Sequence, residues 1–337
     1  MIKKEKLEET KPYAFEKKVL EREMNKGLPQ VDKFYRSVKM SENLDVLAIR
    51  NDMKKEGDDI TKNQIITSSY VVQLKHHKIV VYVYHKKDIS NKNPAVLFFH
   101  GGGFFGGDVK TKENQCKYLA EQSDAVVVAP EYRLSPECAY PGAIEDGMGT
   151  LEWMKQNADR LGIDLNRIAV MGESAGGTLA ANVCFRDMNK DIKLAVLIYG
   201  ALDVSEAGET YYQWDYSKYK MDEEDKDYIM NRLYRFKELS TYMKYLYLND
   251  GDDVTNPDIS PIYQRDMTQM PKTLMIEAEF DYYRICNDEF VRKLKEQNVD
   301  VDVIFYEGLD HGFFDRLGSL PQTADCIEEI AKRVKEM

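Results

Sequence analysis

Short apolar runs alternate with helix-length segments along most of the chain. Six of these runs have the length and β-branched content of buried strands: 95–99, 125–129, 168–171, 194–199, 273–276 and 301–305. The segments around them predict helices at 111–122, 142–157, 175–187, 285–297 and 323–335. This alternation predicts a mostly parallel sheet with helices on both faces.

Two more β-branched and aromatic runs, 65–70 and 79–84, precede this pattern. They flank the polar stretch 75–78, so we expect an antiparallel hairpin that opens the sheet and brings it to eight strands. Residues 1 to about 60 are charged and carry apolar residues only at loose helical spacing. That segment predicts short helices that cover another part of the molecule and have no core of their own.

The alternation of strands and helices is interrupted between Asp203 and Ser260, where two predicted strands are unusually far apart in sequence. A connection of that length indicates a lid or an inserted subdomain, and this one is helix-compatible and rich in tyrosine. We expect most of these rings to pack the cap's own core or a subunit contact, ahead of lining an acyl, alcohol or sugar pocket. The predicted segments are an N-terminal helical cap at 1–60, core at 61–202, a cap insertion at 203–260 and core at 261–337.

Composition narrows the range of partners. The chain has 337 residues, 43% of them hydrophobic and 31% charged, with a net charge of −11. No stripe of Lys and Arg is interleaved with aromatic residues, so neither nucleic acid nor an anionic membrane is the expected partner. No run approaches the ~20 apolar residues of a membrane span. A small neutral molecule fits better, and association of the chain with itself stays open.

The cysteine pattern and the start of the chain bear on location and on metal binding. The five cysteines are widely spread and contain no C-x-x-C pair, so we expect reduced thiols and no metal site. The basic start is not followed by an apolar signal segment. A cytoplasmic location is therefore the expectation.

A serine in a glycine-rich turn is the strongest chemical signal. The stretch Gly172-Glu-Ser-Ala-Gly-Gly177 follows the strand 168–171 and opens the helix 175–187. This is the G-x-S-x-G arrangement in which a sharp strand-to-helix turn lifts a serine hydroxyl clear of the sheet. Ser174 is therefore the predicted nucleophile, and a surface serine in a glycine-rich turn is the alternative.

A second glycine motif, His100-Gly-Gly-Gly103, follows the strand 95–99. Glycine amides can approach a substrate closely, and N–H donors stabilise the negative charge that develops during acyl transfer. A phosphate-binding loop is the competing interpretation. The stretch lacks both the G-K-[ST] ending of a P-loop and the G-x-G-x-x-G entry of a dinucleotide site.

A serine hydroxyl needs a base, and histidine suits that role because its ordinary pKa lies near neutrality. Three of the five histidines lie in or beside the early hairpin, and His100 belongs to the glycine loop. His311 follows the run 301–305, so it is expected at the carboxyl edge of the sheet, where ligands bind in such folds. His311 is the predicted acid–base group, and an exposed loop histidine is the alternative.

The imidazole must in turn be oriented by a carboxylate. Asp281 follows a predicted strand and gives the chain order serine, aspartate, histidine that this sheet architecture uses. The other candidates are Glu277, Glu279 and Asp310. Asp281 is preferred because Asp310 adjoins His311 in sequence and the two glutamates flank the strand end.

Together these motifs resemble the hormone-sensitive-lipase-like family of α/β-hydrolases, the esterases with an H-G-G-G motif. The resemblance runs from about residue 82 to residue 312. It rests on His100-Gly-Gly-Gly103, Tyr132-Arg-Leu-Ser-Pro-Glu137 with Tyr140-Pro141 and Asp146, Gly172-Glu-Ser-Ala-Gly-Gly177, Asp281, and His311-Gly-Phe313. It implies an α/β-hydrolase fold in which the N-terminal segment and the insertion cover the pocket.

The resemblance also implies roles for single residues. Ser174 would be the nucleophile, His311 the acid–base group and Asp281 its orienting carboxylate. The implied oxyanion hole consists of three main-chain amides, those of Gly102, Gly103 and Ala175.

The chain departs from the family pattern at two positions. Glu173 stands where the family often has Asp or Thr, and Asp281-Tyr-Tyr-Arg284 replaces D-x-L-R. Neither departure removes a catalytic group. By the same resemblance, a buried network of Arg133, Glu137 and Asp146 is expected to brace the site.

The expected activity is that of a serine carboxylesterase acting on small or short-chain acyl esters of the acetyl type through an acyl-enzyme, without metal or cofactor. Amide hydrolysis, deacetylation and acyl transfer on the same triad remain alternatives. So does a non-catalytic binding role on this fold, as in the plant gibberellin receptors, which lack the histidine. The presence of His311 argues against that last alternative.

Overall fold

Eight strands form one sheet in this computed structural model, which describes residues 46–54, 56–205, 212 and 214–337. The strands are β1 (Ile65–Gln73), β2 (Lys78–Lys86), β3 (Asn93–Phe99), β4 (Val126–Pro130), β5 (Ile163–Glu173), β6 (Ile192–Ile198), β7 (Lys272–Phe280) and β8 (Val301–Asp310). Their order across the sheet is β1-β2-β4-β3-β5-β6-β7-β8. β2 runs antiparallel to both β1 and β4, and the other neighbouring strands are parallel. The predicted mostly parallel, eight-stranded sheet is therefore confirmed.

The central strands are continuous apolar runs because both of their faces are covered. In β3 all seven residues are buried. Ala95, Leu97 and Phe99 point into the core on one side of the sheet, whereas Val96 and Phe98 point into the core on the other. This alternation follows from the two-residue period of a strand, and it produces one apolar core on each face.

Helices cover both faces of the sheet. The described helices are α1 (Val46–Asp52), α2 (Glu113–Ser123), α3 (Gly142–Gln156), α4 (Ala158–Leu161), α5 (Ala175–Arg186), α6 (Lys226–Tyr247), α7 (Arg284–Glu296) and α8 (Pro321–Glu336). The apolar residues of α2 and α8 belong to the core on one face, and those of α3, α5 and α7 belong to the core on the other. Each of the five predicted helices is present within a few residues of its expected bounds.

The strand β5 is longer than its apolar run predicts. The run 168–171 forms only its inner part, and the strand begins at Ile163. Residues 164–167 are at least partly exposed and mostly polar, so their sequence carries no apolar signal. An irregularity in the pairing with β3 separates the two parts, because Asn93 pairs with Ile163 and Ala95 pairs with Ile168.

The two predicted cap segments are described only in part. Residues 1–45, for which short helices were predicted, lie outside the described residues, and so do 206–211 and 213 in the insertion. The described remainder contains α1 and the long helix α6. The division into two cap segments and two core segments stays a prediction. Within the described residues, no helix combines the length and the apolar character needed to cross a bilayer.

Candidate active site

Ser174 lies in the sharp turn between β5 and α5. Its backbone has φ 55° and ψ −122°, a conformation with positive φ that is strained for a residue with a side chain. The neighbouring strand holds this turn in place, because the Ser174 N–H donates to Ile198 O at 3.0 Å. The Ser174 carbonyl accepts from the N–H groups of Gly177 and Ala201 at 2.9 and 3.0 Å. These three hydrogen bonds hold the strained turn in place.

Gly176 allows this turn to approach β3 closely. A Cβ atom at this position would overlap the carbonyl oxygen of Phe99, the last residue of β3. Only glycine fits such a contact between two backbones. Since His100-Gly-Gly-Gly103 begins directly after Phe99, the contact brings the serine turn and the glycine loop together.

Ser174, His311 and Asp281 form a continuous hydrogen-bonded chain. Asp281 follows β7 and His311 follows β8, so both lie at the carboxyl edge of the sheet together with Ser174. His311 Nε2 is 2.8 Å from Ser174 Oγ, and His311 Nδ1 is 2.7 Å from Asp281 Oδ2. Asp281 is fully buried, whereas Ser174 retains 9% of its surface.

Asp281 is fixed by the turn that follows it. Its second carboxylate oxygen accepts the N–H of Tyr283 at 2.8 Å, and its main-chain carbonyl accepts the Tyr219 hydroxyl at 2.8 Å. The other three acidic candidates lie elsewhere. Glu279 accepts the Gly308 N–H at 2.7 Å, and the Glu277 side chain is buried with its pKa raised, first of all by burial.

Asp310, the remaining candidate, belongs to an ion-pair network. It lies 2.8 Å from Arg232 Nε and 2.7 Å from Arg316 Nη2. Burial by itself would raise the pKa of Asp310, but the two guanidinium groups hold it below its ordinary value. Arg232 also donates to the main-chain carbonyl of His311 at 3.0 Å. This arginine lies on α6, so that helix is bonded directly to the histidine loop.

Three aromatic rings surround the His311 imidazole. The ring centroids of Phe236, Tyr199 and Tyr283 lie 4.5, 4.7 and 5.4 Å from it. Sequence reasoning missed all three as site residues. Tyr199 directly follows β6 and Tyr283 lies three residues after the end of β7, which is a usable signal, but nothing in the sequence indicates that Phe236 faces this histidine.

The glycine loop has two amides available for a ligand. Gly102 has φ 121°, which favours glycine, and its carbonyl accepts the Gly106 N–H at 2.8 Å. Among the described residues, the N–H groups of Gly102 and Gly103 donate to no acceptor. The His100 side chain is buried beneath the loop and donates from Nδ1 to Gly101 O at 2.8 Å. Burial lowers the pKa of His100 to about 4, so this imidazole is neutral at pH 7.

The helix α6 lies over the glycine loop as well. A Cβ placed on Gly103 would lie 3.2 Å from Met243 Cγ, so this side chain is packed against the loop. One turn further along, Tyr247 stacks on Phe104 with ring centroids 3.9 Å apart. The Tyr283 hydroxyl bonds to Ser240 on the same helix at 2.7 Å. The helix α6 therefore contacts the glycine loop, the turn after Asp281 and the histidine loop.

The expected buried network is only partly present. Arg133 pairs with the fully buried Asp146 at 2.8 Å, and His77 from the hairpin lies 2.6 Å from the same carboxylate. Glu137 does not belong to it, and this part of the prediction is wrong. Its side chain is 64% exposed and pairs with Arg50 on α1 at 2.6 Å. Both oxygens of the Glu137 carboxylate accept hydrogen bonds from the Arg50 guanidinium, at 2.8 and 2.6 Å.

The described residues contain no group of three or more His, Cys, Asp or Glu side chains arranged to hold a metal ion. The arrangement at the carboxyl edge instead provides a hydroxyl, an imidazole, a buried carboxylate and main-chain donors. These are the groups that acyl transfer requires.

Comparison with known proteins agrees with this chemistry. A family model described as alpha/beta hydrolase fold matches residues 96–315. The Esterase LipI of Mycobacterium tuberculosis is 32% identical over 248 residues, which cover 72% of each chain. The ethyl acetate hydrolase of Pseudomonas putida is 28% identical over 256 residues, or 74% of this chain and 75% of that protein.

Among solved structures, a hyperthermophilic esterase from the archaeon Pyrobaculum calidifontis superimposes with a TM-score of 0.75 at 27% identity. The match covers 92% of this chain and 97% of that one. The chain belongs to the hormone-sensitive-lipase-like family of α/β-hydrolases and is a carboxylic ester hydrolase.

Proposed function

We propose that this esterase hydrolyses small, short-chain acyl esters of the acetyl type through an acyl-enzyme formed on Ser174. The observation that carries the proposal is the hydrogen-bonded chain from Ser174 through His311 to Asp281, with distances of 2.8 and 2.7 Å. An ionised carboxylate only accepts hydrogen bonds, so Asp281 holds the imidazole proton on Nδ1. The Nε2 lone pair then faces the serine hydroxyl and serves as the base.

The reaction proceeds in two halves. Ser174 Oγ attacks the ester carbonyl carbon while its proton passes to His311 Nε2, and the carbonyl π electrons move to oxygen. The bond to the alcohol oxygen then breaks, and His311 delivers the proton to that leaving group. In the second half, water attacks the acyl-enzyme, gives a proton to His311 and releases the carboxylic acid, and His311 returns the proton to Ser174.

The negative oxygen of each tetrahedral intermediate needs donors that are in place beforehand. We assign this role to three amides, those of Gly102, Gly103 and Ala175. The unpaired state of the Gly102 and Gly103 amides within the described chain supports the assignment. So does the close approach of Gly176 to Phe99, because it sets the glycine loop beside the serine turn.

The positions of two side chains on α6 favour a small acyl group in the substrate. Met243 is 3% exposed beside Gly103, and Phe236 is 7% exposed against His311. A carbonyl bound between Ser174 and the Gly103 amide is bordered by both, and a long acyl chain has to displace them. The relative named ethyl acetate hydrolase supports the same substrate class.

Replacement of the nucleophile tests the mechanism. Ser174→Ala should lower the kcat for p-nitrophenyl acetate by about 10⁶-fold, the scale on which a serine hydrolase loses its nucleophile. Ser69→Ala, at an exposed serine on β1, is the matched control and should leave kcat unchanged. Where hydrolysis of the acyl-enzyme is slower than its formation, rapid mixing of the wild type should show a burst of nitrophenol equal to the enzyme concentration. Undiminished hydrolysis by Ser174→Ala would refute the assignment.

The acyl group and the acceptor are tested with a substrate panel. Rates for acetate, butyrate, hexanoate and octanoate esters should fall beyond butyrate, and a rise toward octanoate would overturn the short-chain proposal. Amide hydrolysis and transfer to added alcohols share the first half-reaction with ester hydrolysis. We therefore include p-nitroacetanilide and a set of acetylated sugars, and expect ester hydrolysis to be fastest.

A further inference from the structure

Two charged side chains that the mechanism does not use are buried beside the nucleophile. Glu173 is 4% exposed and Lys112 is 5% exposed. The Lys112 ammonium lies 3.0 Å from Asp315 Oδ1 and 3.8 Å from Glu173 Oε1. Removing charges from water costs several kcal/mol for each ion, and mutual attraction offsets this cost only in good geometry. Two buried charges beside a partly exposed third one therefore require a physical explanation.

The three side chains come from the three segments that carry the catalytic groups. Glu173 directly precedes Ser174, and Asp315 lies four residues after His311. Lys112 lies in the single helical turn Lys110–Lys112 that follows the glycine loop. The cluster thus links the serine turn, the histidine loop and the glycine loop through one ammonium group.

Glu173 also bonds directly to the glycine loop. Its Oε1 accepts the N–H of Gly101 at 2.5 Å. A Cβ placed on Gly101 would overlap Glu173 Oε2, so the carboxylate lies flat against this residue. Burial raises the pKa of Glu173, and the positive charge of Lys112 opposes that rise. The hydrogen bond therefore joins a buried, paired carboxylate to the residue that precedes Gly102.

A run of glycines has a large conformational freedom, which makes it a poor holder of fixed donors unless something else holds it. An oxyanion donor is effective only when it is aimed at the developing charge before the reaction, and one such donor is worth about 10²-fold or more in kcat. A charge-assisted hydrogen bond to the first amide of the loop provides a suitable anchor.

We infer that Glu173, held by Lys112, is a positioning residue that fixes Gly101 and thereby aims the Gly102 and Gly103 amides at the substrate oxygen. This inference rests on the proposed roles of Ser174 and of these two amides. Glu173 does not touch the substrate. Its effect is expected in the transition state, where negative charge develops on the oxygen, and only weakly in the bound ester, where the oxygen is neutral.

Two substitutions at Glu173 distinguish the contribution of side-chain length from that of the negative charge. Glu173→Asp keeps the charge but withdraws the carboxylate by one methylene, about 1.5 Å, so the bond to Gly101 is lost. We expect kcat for p-nitrophenyl acetate to fall by about 10²-fold with KM changed less than about twofold. Glu173→Gln keeps an acceptor of the same length without charge and should lose only about fivefold, since charge-assisted bonds are roughly twice as strong as neutral ones.

A short-chain trifluoromethyl ketone provides a second measurement, because it adds to the serine as a tetrahedral oxyanion and mimics the transition state. Its inhibition constant should weaken by the same factor as kcat in each variant. Glu336→Gln, at an exposed glutamate near the end of α8, controls for the loss of one negative charge and should change neither quantity. Melting temperatures establish that each variant is folded, and Glu173→Gln alone suffices if Glu173→Asp does not fold.

The outcomes distinguish this inference from the proposed function. If Ser174→Ala is inactive but the Glu173 variants keep wild-type kcat and inhibitor affinity, the inference on Glu173 is overturned and the mechanism stands. A rise in KM with unchanged kcat overturns it as well, because that pattern indicates loss of ground-state binding. If Ser174→Ala remains active, the proposed function itself has failed, whatever the Glu173 variants do.

Discussion

Shortening Met243 should widen the range of acyl groups that the enzyme accepts. The side chain projects from α6, is 3% exposed, and lies against Gly103. Its sulfur is 3.4 Å from the Tyr283 hydroxyl, so it spans from the glycine loop to the acid turn. Met243→Ala removes the three outer heavy atoms from this position. In the proposed binding mode, the space that opens lies beside the carbonyl of the ester, where additional acyl methylenes would lie.

The size of the effect follows from the burial of those methylenes. Three heavy atoms leave room for about two methylenes, each worth about 0.8 kcal/mol when buried. Two of them give about 1.6 kcal/mol, or roughly 15-fold in a rate ratio. The ratio of kcat/KM for the hexanoate ester to that for the butyrate ester should therefore rise about 15-fold over the wild type. Loss of a buried Met side chain also costs about 2–5 kcal/mol of stability, so the assays require temperatures well below the melting point.

The assay compares p-nitrophenyl esters from acetate to octanoate in the wild type, Met243→Ala and Tyr245→Ala. Tyr245 lies on the same helix but is 79% exposed, so its replacement controls for changes in α6 that do not alter the pocket. Its chain-length profile should match that of the wild type. If Met243→Ala lowers all rates by one common factor, Met243 is structural and does not limit the acyl group. An equal shift of the chain-length profile in Tyr245→Ala would also refute the reasoning, because it would show that the shift comes from a change in the helix and not from the size of the pocket.

Two other predictions concern acidic side chains. Asp281→Asn should lower kcat by about 10⁴-fold, because an amide no longer selects the imidazole tautomer with its proton on Nδ1. Steady-state kinetics of this variant and of Glu279→Gln test the prediction: Glu279→Gln should keep most of its activity, and the reverse ranking would assign the role of the acid to Glu279. Burial raises the pKa of Glu131 from 4.5 to about 7, so the folded protein retains a proton that the unfolded chain releases, and stability declines as pH rises between these values. Glu131→Gln should therefore raise the melting temperature more at about pH 8 than at about pH 5, and an equal gain at both would contradict this account.

The sheet and the principal catalytic candidates could be predicted because their signals are local. Apolar runs of strand length mark β3 and β6, since strands covered on both faces have little room for polar residues. Ser174, Asp281 and His311 each come directly after the end of a strand that contains such a run, and the carboxyl ends of parallel strands meet at one edge of the sheet. Chain order and strand ends therefore brought the three together without any knowledge of the loops.

The residues that were misassigned or missed have no local signal in the sequence. Glu137 was placed in a buried network by resemblance, but a charged loop residue has no periodic pattern that reports its burial. It pairs instead with Arg50, which is 87 residues away in sequence. Lys112 and Glu173 were equally hidden, because a buried ion pair reads in the sequence as two ordinary polar positions. Contacts between segments that are distant in sequence decide these cases.

The helix α6 combines a pattern that can be read from the sequence with contacts that cannot. The residues that contact the site are Arg232, Phe236, Ser240, Met243 and Tyr247. Their spacing of four, four, three and four residues is that of one helical face, so the sequence contains the face but not its partners. Those partners are the histidine loop, the acid turn and the glycine loop in succession. Because a helix moves as a rigid body, a tilt of α6 must alter all three contacts together, so only substitutions that tilt the helix should change acyl specificity and turnover jointly.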